Sequence, residues 1–304
     1  MTMWLQKCPG ILLALLLAPA VSGVINKVKA LFAGRRGPPV LQLYFDLFKL
    51  LAKGAVYSRT TSWLFRAGPV VSVAALISVL LIIPFGGPSL LSFPGDLAVG
   101  FYLLAIARFF TVLAAMDTGS SFEGMGASRE VQFSALAEPA LFLGFAVLIR
   151  MTGQFSFSEI FGSMTASTWA TQAPALILVA VVLMVVLLAE NARIPVDDPN
   201  THLELTMIHE VMVLDHGGPD FALILYASSL KLWVFASWFA GLVVPRGVGS
   251  PAASLAATLG GVLLAAVLVG VIESIMARLR LLRVPQLLLG AAALAAVALL
   301  LVMK

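Results

Sequence analysis

The chain has 304 residues, of which 61% are hydrophobic and 11% charged, and its mean hydropathy is +1.03. Soluble domains carry about 25% charged residues, so the composition excludes an ordinary soluble enzyme and indicates a polytopic membrane protein. The net charge of +4 comes from basic residues between apolar segments, where membrane topology places them, so it does not indicate nucleic-acid binding. The single cysteine, Cys8, cannot hold an iron–sulfur cluster, which takes about four thiolates, so redox centres are expected in partner proteins.

Eight apolar segments predict an all-α protein that crosses the bilayer about eight times, as one membrane domain over residues 1–304. Each must be helical, because lipid offers no partner for backbone hydrogen bonds. The predicted spans are 10–31, 69–85, 97–115, 135–151, 173–189, 221–244, 254–273 and 285–303. The first could be a signal peptide, since Lys7 precedes an apolar run and small residues. Apolarity continues to Ile25, which favours a retained helix.

Lysine and arginine cluster in the connections that follow odd-numbered spans, and this predicts the orientation. Positively charged loops stay on the cytoplasmic side, so we expect both termini outside the cytoplasm. The connection between the fifth and sixth spans is then cytoplasmic. The basic residues of the odd connections are Arg35, Arg36, Lys49, Lys53, Arg59, Arg66, Arg129, Arg193, Arg278, Arg280 and Arg283.

Within the first connection, residues 41–57 have the pattern of an amphipathic helix. Gln42, Asp46, Lys49 and Lys53 recur at intervals of four and three, which places them on one narrow helical stripe. A helix with a wide apolar face and a basic edge lies in the membrane interface. Two interpretations remain open: a simple anchor, or the wall of a chamber that admits lipid-soluble ligands.

Residues 190–220 concentrate the acidic and imidazole side chains in a cytoplasmic loop between the fifth and sixth spans. The acids are Glu190, Asp197, Asp198, Glu204, Glu210, Asp215 and Asp220, and all three histidines lie here as His202, His209 and His216. Zinc motifs usually place ligands three or four residues apart, and these histidines are spaced by seven, so a metal site is not favoured. An imidazole ordinarily titrates near pH 6.5, which makes His202 and His209 candidate proton-relay residues.

Six ionisable residues lie within or at the edge of the spans: Arg108, Glu130, Glu138, Glu190, Lys231 and Glu273. A charge in the bilayer centre costs roughly 2.5–3.5 kcal/mol, so each is a functional hypothesis. Glu130 and Glu138 share one helical face, because Ser134 divides them into two steps of four. The alternative is a structural ion pair, such as Glu190 with Arg193. We favour that alternative for Arg108 and Lys231, and a functional role for Glu190.

The run from Glu190 to Pro199, ENARIPVDDP, resembles the ExxRxPxDxP signature of the NADH dehydrogenase subunit 1 family, whose members are membrane subunits of complex I. The order of features also matches over most of the chain: a first span, Arg35-Arg36-Gly37-Pro38-Pro39, an amphipathic helix and seven further spans. Asn200 and His202 stand where quinone-reducing members carry acids. The run Asp197–Glu210 is instead similar to the group 4 membrane-bound nickel–iron (NiFe) hydrogenase branch, that of formate hydrogenlyase subunit 4 and hydrogenase-4 component C.

The resemblance implies a multi-pass subunit of a bacterial cytoplasmic (inner) membrane that holds no cofactor itself. Its partners would be a hydrogenase large subunit with a NiFe centre, an iron–sulfur small subunit and antiporter-like membrane subunits. Its chamber would be filled by quinone or lipid, or be vestigial. Carboxylates would couple redox chemistry to proton or sodium movement, while the other signature residues would shape the loop. The coupling set is Glu130, Glu138, Glu190, Glu204, Glu210 and Asp215, and the loop set is Arg193, Pro195, Asp197, Asp198 and Pro199.

Two other functions stay open. The chain could form the quinone chamber of an NADH:quinone oxidoreductase, in which case it should keep the acids that Asn200 and His202 replace. It could also be an independent secondary transporter, which would act when expressed alone.

Overall fold

The computed structural model describes residues 2–197, 207–246 and 250–303, and in this part of the chain the fold is all-α. The helices are α1 (Thr2–Phe32), α2 (Gln42–Leu51), α3 (Trp63–Ile82), α4 (Asp96–Asp117), α5 (Ser121–Thr152), α6 (Phe157–Gly162), α7 (Ala166–Glu190), α8 (Gly218–Val243), α9 (Pro251–Ile275) and α10 (Val284–Met303). Two 3₁₀ turns cover Glu210–Val213 and Leu281–Arg283.

Eight of the described helices are long and apolar enough to cross a membrane, which confirms the predicted fold class. The protein is an integral membrane protein. The predicted fourth span was too short, because it began at residue 135 whereas α5 begins at Ser121. The first turns of α5 contain Glu123 and Glu130, so an apolar window misses a helix that extends beyond the hydrocarbon layer.

Close helix approach depends on small residues at the crossings, as is usual between membrane helices. A Cβ atom on Gly68 of α3 would lie 2.8 Å from the Ala114 side chain of α4. A Cβ on Gly270 of α9 would lie 2.7 Å from Val28 of α1. Any larger residue at either position would therefore push two spans apart.

The core around Phe101 of α4 and Phe145 of α5 consists of closely packed aromatic rings. Trp238 of α8 is fully buried, and its ring centroid lies 5.8 Å from that of Phe101 and 5.3 Å from that of Phe145. The short helix α6 adds Phe157, stacked on Trp238 at 5.4 Å. Its start is fixed by buried Asp96, whose carboxylate accepts the Phe157 N–H at 2.8 Å. This rigid end supports α4, α5 and α8, which position the site.

The helix expected over residues 41–57 is shorter in the structure, ending at Leu51. Gly54 follows closely, and glycine is a poor helix former. Tyr44 donates a hydrogen bond to the Leu16 carbonyl of α1. A cavity of about 260 Å³ is lined by residues of α2 and by Leu223 and Tyr226 of α8. The interfacial position of α2 stays a prediction.

Candidate functional site

Arg108, near the middle of α4, bridges three carboxylates from two other spans. Its Nη1 lies 2.5 Å from Glu138 Oε1, and its Nη2 lies 2.7 and 2.8 Å from the two oxygens of Glu190. Its Nε is 3.8 Å from Glu130 Oε1. Lys231 of α8 completes the group, with Nζ 2.9 Å from Glu190 Oε2. We call these five residues the Arg108 cluster.

Local sequence places these side chains in reach of one another. Glu130 and Glu138 are eight residues apart on α5, about 12 Å along the axis, and Arg108 extends between them. Glu190 is the last residue of α7, so that helix ends beside Arg108. The predicted shared face of Glu130 and Glu138 is thus the face toward Arg108.

The charges of the Arg108 cluster do not cancel. Three carboxylates face one guanidinium and one ammonium group, so the five residues carry one excess negative charge when all of them are ionised. In a medium of low dielectric an uncompensated charge is costly. The cluster can therefore take up one proton, or one small cation, and reach neutrality.

Burial differs among the three acids. The Glu190 side chain is 4% exposed and contacts both cations, whereas that of Glu138 is 39% exposed and contacts Arg108 alone. Glu130 lies between these extremes at 12%. Two cations therefore contact Glu190, whereas one contacts the more exposed Glu138.

Two cavities meet at Arg108. One of about 50 Å³ is lined by Arg108, Glu130, His209 and Lys231, and has room for a few water molecules. The other, of about 520 Å³, lies between α4 and α5 and is mostly apolar, with Arg108, Glu138 and Glu190 among its lining residues. The aromatic part of its lining is Phe101, Tyr102, Phe142, Phe145 and Phe235. Arg108 thus lines both the small cavity and the larger apolar one.

Arg193 does not pair with Glu190, whose ion-pair partners are Arg108 and Lys231. Its Nη1 lies 3.5 Å from Glu273 Oε1, and Lys29 Nζ lies 2.7 Å from Glu273 Oε2. The Glu273 side chain has no solvent exposure. This second group, the Glu273 cluster, joins α1, α9 and the connection after α7. Arg193 thus pairs with an acid, as its expected loop role requires.

Asp197 ties the start of the acidic connection to two other parts of the chain. Its Oδ1 accepts a hydrogen bond from Arg278 Nη2 at 2.8 Å, and its Oδ2 accepts the Ile208 N–H at 3.0 Å. The Pro195 carbonyl accepts the Leu279 N–H at 2.9 Å. Asp197 and Pro195 therefore fix the path of this connection against the α9–α10 connector.

The remaining predicted residues are spread along the connection. Glu210 begins the 3₁₀ turn Glu210–Val213, and the Asp215 N–H donates to Glu123 Oε1 at 3.0 Å. His209 Nδ1 lies 4.0 Å from Glu130 Oε2, so one candidate relay histidine reaches the Arg108 cluster. The other predicted positions lie outside the described residues: Asp198, Pro199, His202 and Glu204.

Arg108 and Lys231 form ion pairs with acids of other spans, as the structural alternative for these two residues expected. A basic residue within an apolar span usually pairs in this way. Glu123 was not singled out, although it is fully buried. No group of three or more His, Cys, Asp or Glu side chains able to hold a metal occurs among residues 2–197, 207–246 and 250–303.

His216 is a buried imidazole outside the spans. Its ring stacks on Phe65 at a centroid distance of 3.8 Å, and its Nε2 is 3.3 Å from the Phe65 carbonyl oxygen. Burial lowers the pKa of His216, because the charged form loses its hydration. The folded protein therefore favours neutral His216.

Comparison with known proteins gives a consistent assignment. The family profile described as NADH dehydrogenase matches residues 7–304. The chain is 35% identical to formate hydrogenlyase subunit 4 of Escherichia coli over 87% of each chain. It is 32% identical to hydrogenase-4 component C of the same organism, over 87% of this chain and 84% of the relative.

More distant similarity reaches two other kinds of complex. A subunit of the NADH-quinone oxidoreductase of Burkholderia vietnamiensis is 28% identical over 68% of this chain and 61% of its own. The fold also matches a chain of the membrane-bound sulfane sulfur reductase, described as an archaeal respiratory membrane complex, with a TM-score of 0.86. That match covers 99% of this chain and 100% of the other at 24% identity, so it shows the shared fold.

Proposed function

The chain belongs to the NADH dehydrogenase family, and we propose that it is the membrane-anchor and coupling subunit of a complex I-like, energy-converting NiFe hydrogenase. In this role it joins a peripheral redox arm to an ion-translocating membrane arm. The observation that carries the proposal is the Arg108 cluster, in which three membrane-embedded acids face two cations. Such a group can accept and release one proton without leaving a net positive charge in the bilayer.

Two features favour the hydrogenase branch over a quinone-reducing complex. Identity to formate hydrogenlyase subunit 4 is 35%, against 28% for the quinone oxidoreductase relative, and the first covers more of both chains. Asn200 and His202 also replace acids of the quinone-reducing pattern. The NiFe centre and the iron–sulfur clusters belong to the partner subunits in this proposal, with formate or another low-potential compound as the electron donor.

The chemistry of the site follows from its charges. Arg108 holds three acids close together, and Lys231 adds a second cation beside Glu190. A proton that reaches Glu138 or Glu130 neutralises the excess charge, and its departure restores that charge. A shift of the connection after α7 would alter the contacts of Glu190 and Glu130, because both lie next to residues of that connection. Redox events in the peripheral arm would then change the proton affinity of the cluster.

The proposal places the subunit in a bacterial cytoplasmic membrane, with both termini outside the cytoplasm. The connection between α7 and α8 would then face the cytoplasm, where the large and small hydrogenase subunits dock. Antiporter-like subunits would contact the spans. Coupling by Glu204 and relay by His202 belong to the same proposal.

Purification of the complex tests this assignment. The tagged subunit is isolated from mild-detergent membranes, and nickel, iron and flavin are quantified together with its partner proteins. We expect nickel with iron–sulfur proteins. Recovery of the subunit with neither metal, in a form that transports ions alone, would instead support a secondary transporter.

The second candidate function is quinone reduction, and one observation favours it. The cavity of about 260 Å³ between α2 and α8 is lined by Leu47, Phe48, Leu51, Ala222 and Leu223 with two tyrosines, and could admit a lipid-soluble ligand. Iron and flavin without nickel in the purified complex would select this function. The α2 surface would then become the next target for substitution.

A further inference from the structure

His209 reaches the Arg108 cluster from the part of the acidic connection that the structure describes. Its side chain is 28% exposed, whereas that of Glu130 is 12% exposed, and the two lie 4.0 Å apart. This distance exceeds that of a direct hydrogen bond. Both residues line the cavity of about 50 Å³, so one water molecule can bridge them. His209 therefore stands between the more exposed connection and a buried acid.

The backbone of His209 is held by Asp197. The Asp197 side chain is 4% exposed, and its Oδ2 accepts the N–H groups of Ile208 at 3.0 Å and His209 at 3.3 Å. Hydrogen bonds to an ionised carboxylate are stronger than those between neutral groups. The direction of the His209 side chain thus depends on where the Asp197 carboxylate lies.

Asp197 is itself fixed by a residue from a distant part of the sequence. Arg278, in the connector between α9 and α10, donates to Asp197 Oδ1 at 2.8 Å. The adjacent Leu279 N–H bonds to the Pro195 carbonyl at 2.9 Å. On the other side, Arg129 of α5 donates to the Met207 carbonyl at 2.8 Å. The segment that presents His209 is therefore held between α5 and the α9–α10 connector.

We propose that Asp197 and Arg278 are positioning residues that hold His209 within one water molecule of Glu130, and that His209 passes protons between the connection and the Arg108 cluster. This inference rests on the proposed function and deepens it. It adds a control point, because movement of the α9–α10 connector would move His209 away from Glu130. In this inference Arg278 acts through Asp197 and His209.

The test compares His209→Gln, Arg278→Gln and the double variant in the intact complex. Inverted membrane vesicles evolve hydrogen from formate, or from reduced ferredoxin where formate is not a donor. Proton uptake per molecule of hydrogen produced is followed with a pH-sensitive dye across the range in which imidazoles ordinarily titrate, about pH 5.5–8. Arg280→Gln is the matched control, because Arg280 lies exposed on the same connector. Arg278→Lys tests rescue by a retained positive charge.

We expect His209→Gln to lower proton uptake at least about tenfold, as for loss of a positioned proton-transfer group, and to flatten its pH profile. Arg278→Gln should flatten the profile in the same way, Arg278→Lys should restore part of it, and Arg280→Gln should match the unmodified complex. The double variant should be no worse than His209→Gln alone, since positioning has no effect once the imidazole is gone.

Three results overturn the inference. A double variant with additive losses would show that Arg278 acts independently of His209. A second result is that His209→Gln and Arg278→Gln keep the pH profile of the unmodified complex while Glu190→Gln loses ion uptake. This result would remove the positioning role and leave the proposed function intact. Unmodified uptake in all three variants would instead overturn the proposed function, and the inference with it.

Discussion

Two buried charged clusters in this bundle differ in their balance of charge. The Arg108 cluster has three acids and two cations, whereas the Glu273 cluster has one acid and the two cations Lys29 and Arg193. Surplus acid leaves a place for a proton, whereas in the Glu273 cluster the single acid already faces two cations. We therefore expect the first cluster to carry ions and the second to join α1, α9 and the connection after α7.

The largest effect should follow from Arg108→Gln. Removing one partner of a buried charge network costs about 3–5 kcal/mol, and here Glu138 and Glu190 would lose their shared cation. We expect a lower unfolding temperature in detergent and loss of ion uptake, measured for protons and for sodium. Arg150→Gln is the control, since Arg150 is exposed near the end of α5. Equal behaviour of the two variants would contradict a central role for Arg108.

Glu273→Gln should affect stability and spare transport. The change removes charge-assisted contacts to Lys29 and Arg193, worth about 1–3 kcal/mol together, so less complex should assemble and it should unfold at lower temperature. Ion uptake per assembled complex should stay at the unmodified level. A variant that unfolds normally but has lost uptake would place Glu273 in the ion path and erase the distinction between the clusters.

Glu138→Gln should have a smaller effect on uptake, because Glu138 is the most exposed of the three acids and contacts one cation. Loss of one charge-assisted hydrogen bond of about 1 kcal/mol corresponds to roughly a fivefold decrease. Uptake kinetics in vesicles would measure it. The hypothesis that Glu138 exchanges protons fails if uptake keeps both its rate and its pH dependence.

The smallest effect concerns acid stability at His216. Its pKa is lowered by burial, so the folded state binds a proton less readily than the unfolded chain, and stability is lost as pH falls below about 6.5. His216→Phe keeps a ring against Phe65 but cannot be protonated. Between about pH 7 and about pH 5.5, the unfolding temperature should fall less in this variant than in the unmodified protein. The difference corresponds to about 1 kcal/mol or less in the free energy of unfolding. An equal acid effect in both proteins would contradict this cause.

The spans could be predicted from sequence because hydropathy is a local property. The shared face of Glu130 and Glu138 was predictable for the same reason, since both lie on α5. The partners of Arg108 were not, because Glu190 is 82 residues away and helical periodicity does not tell which faces of two helices meet. The Lys29–Glu273 and Asp197–Arg278 contacts join equally distant segments, and only the packed bundle reveals them.

The most direct measurement of the central claim uses Glu190→Gln, with Glu273→Gln as its control. Hydrogen production and ion uptake are recorded together in vesicles that contain the assembled complex. Glu190→Gln leaves two acids facing two cations, so the Arg108 cluster loses its excess negative charge. We therefore expect hydrogen production to persist while ion uptake falls at least about tenfold, the order expected when proton transfer is impaired. Ion uptake at the unmodified level in assembled Glu190→Gln complexes would contradict coupling through the Arg108 cluster.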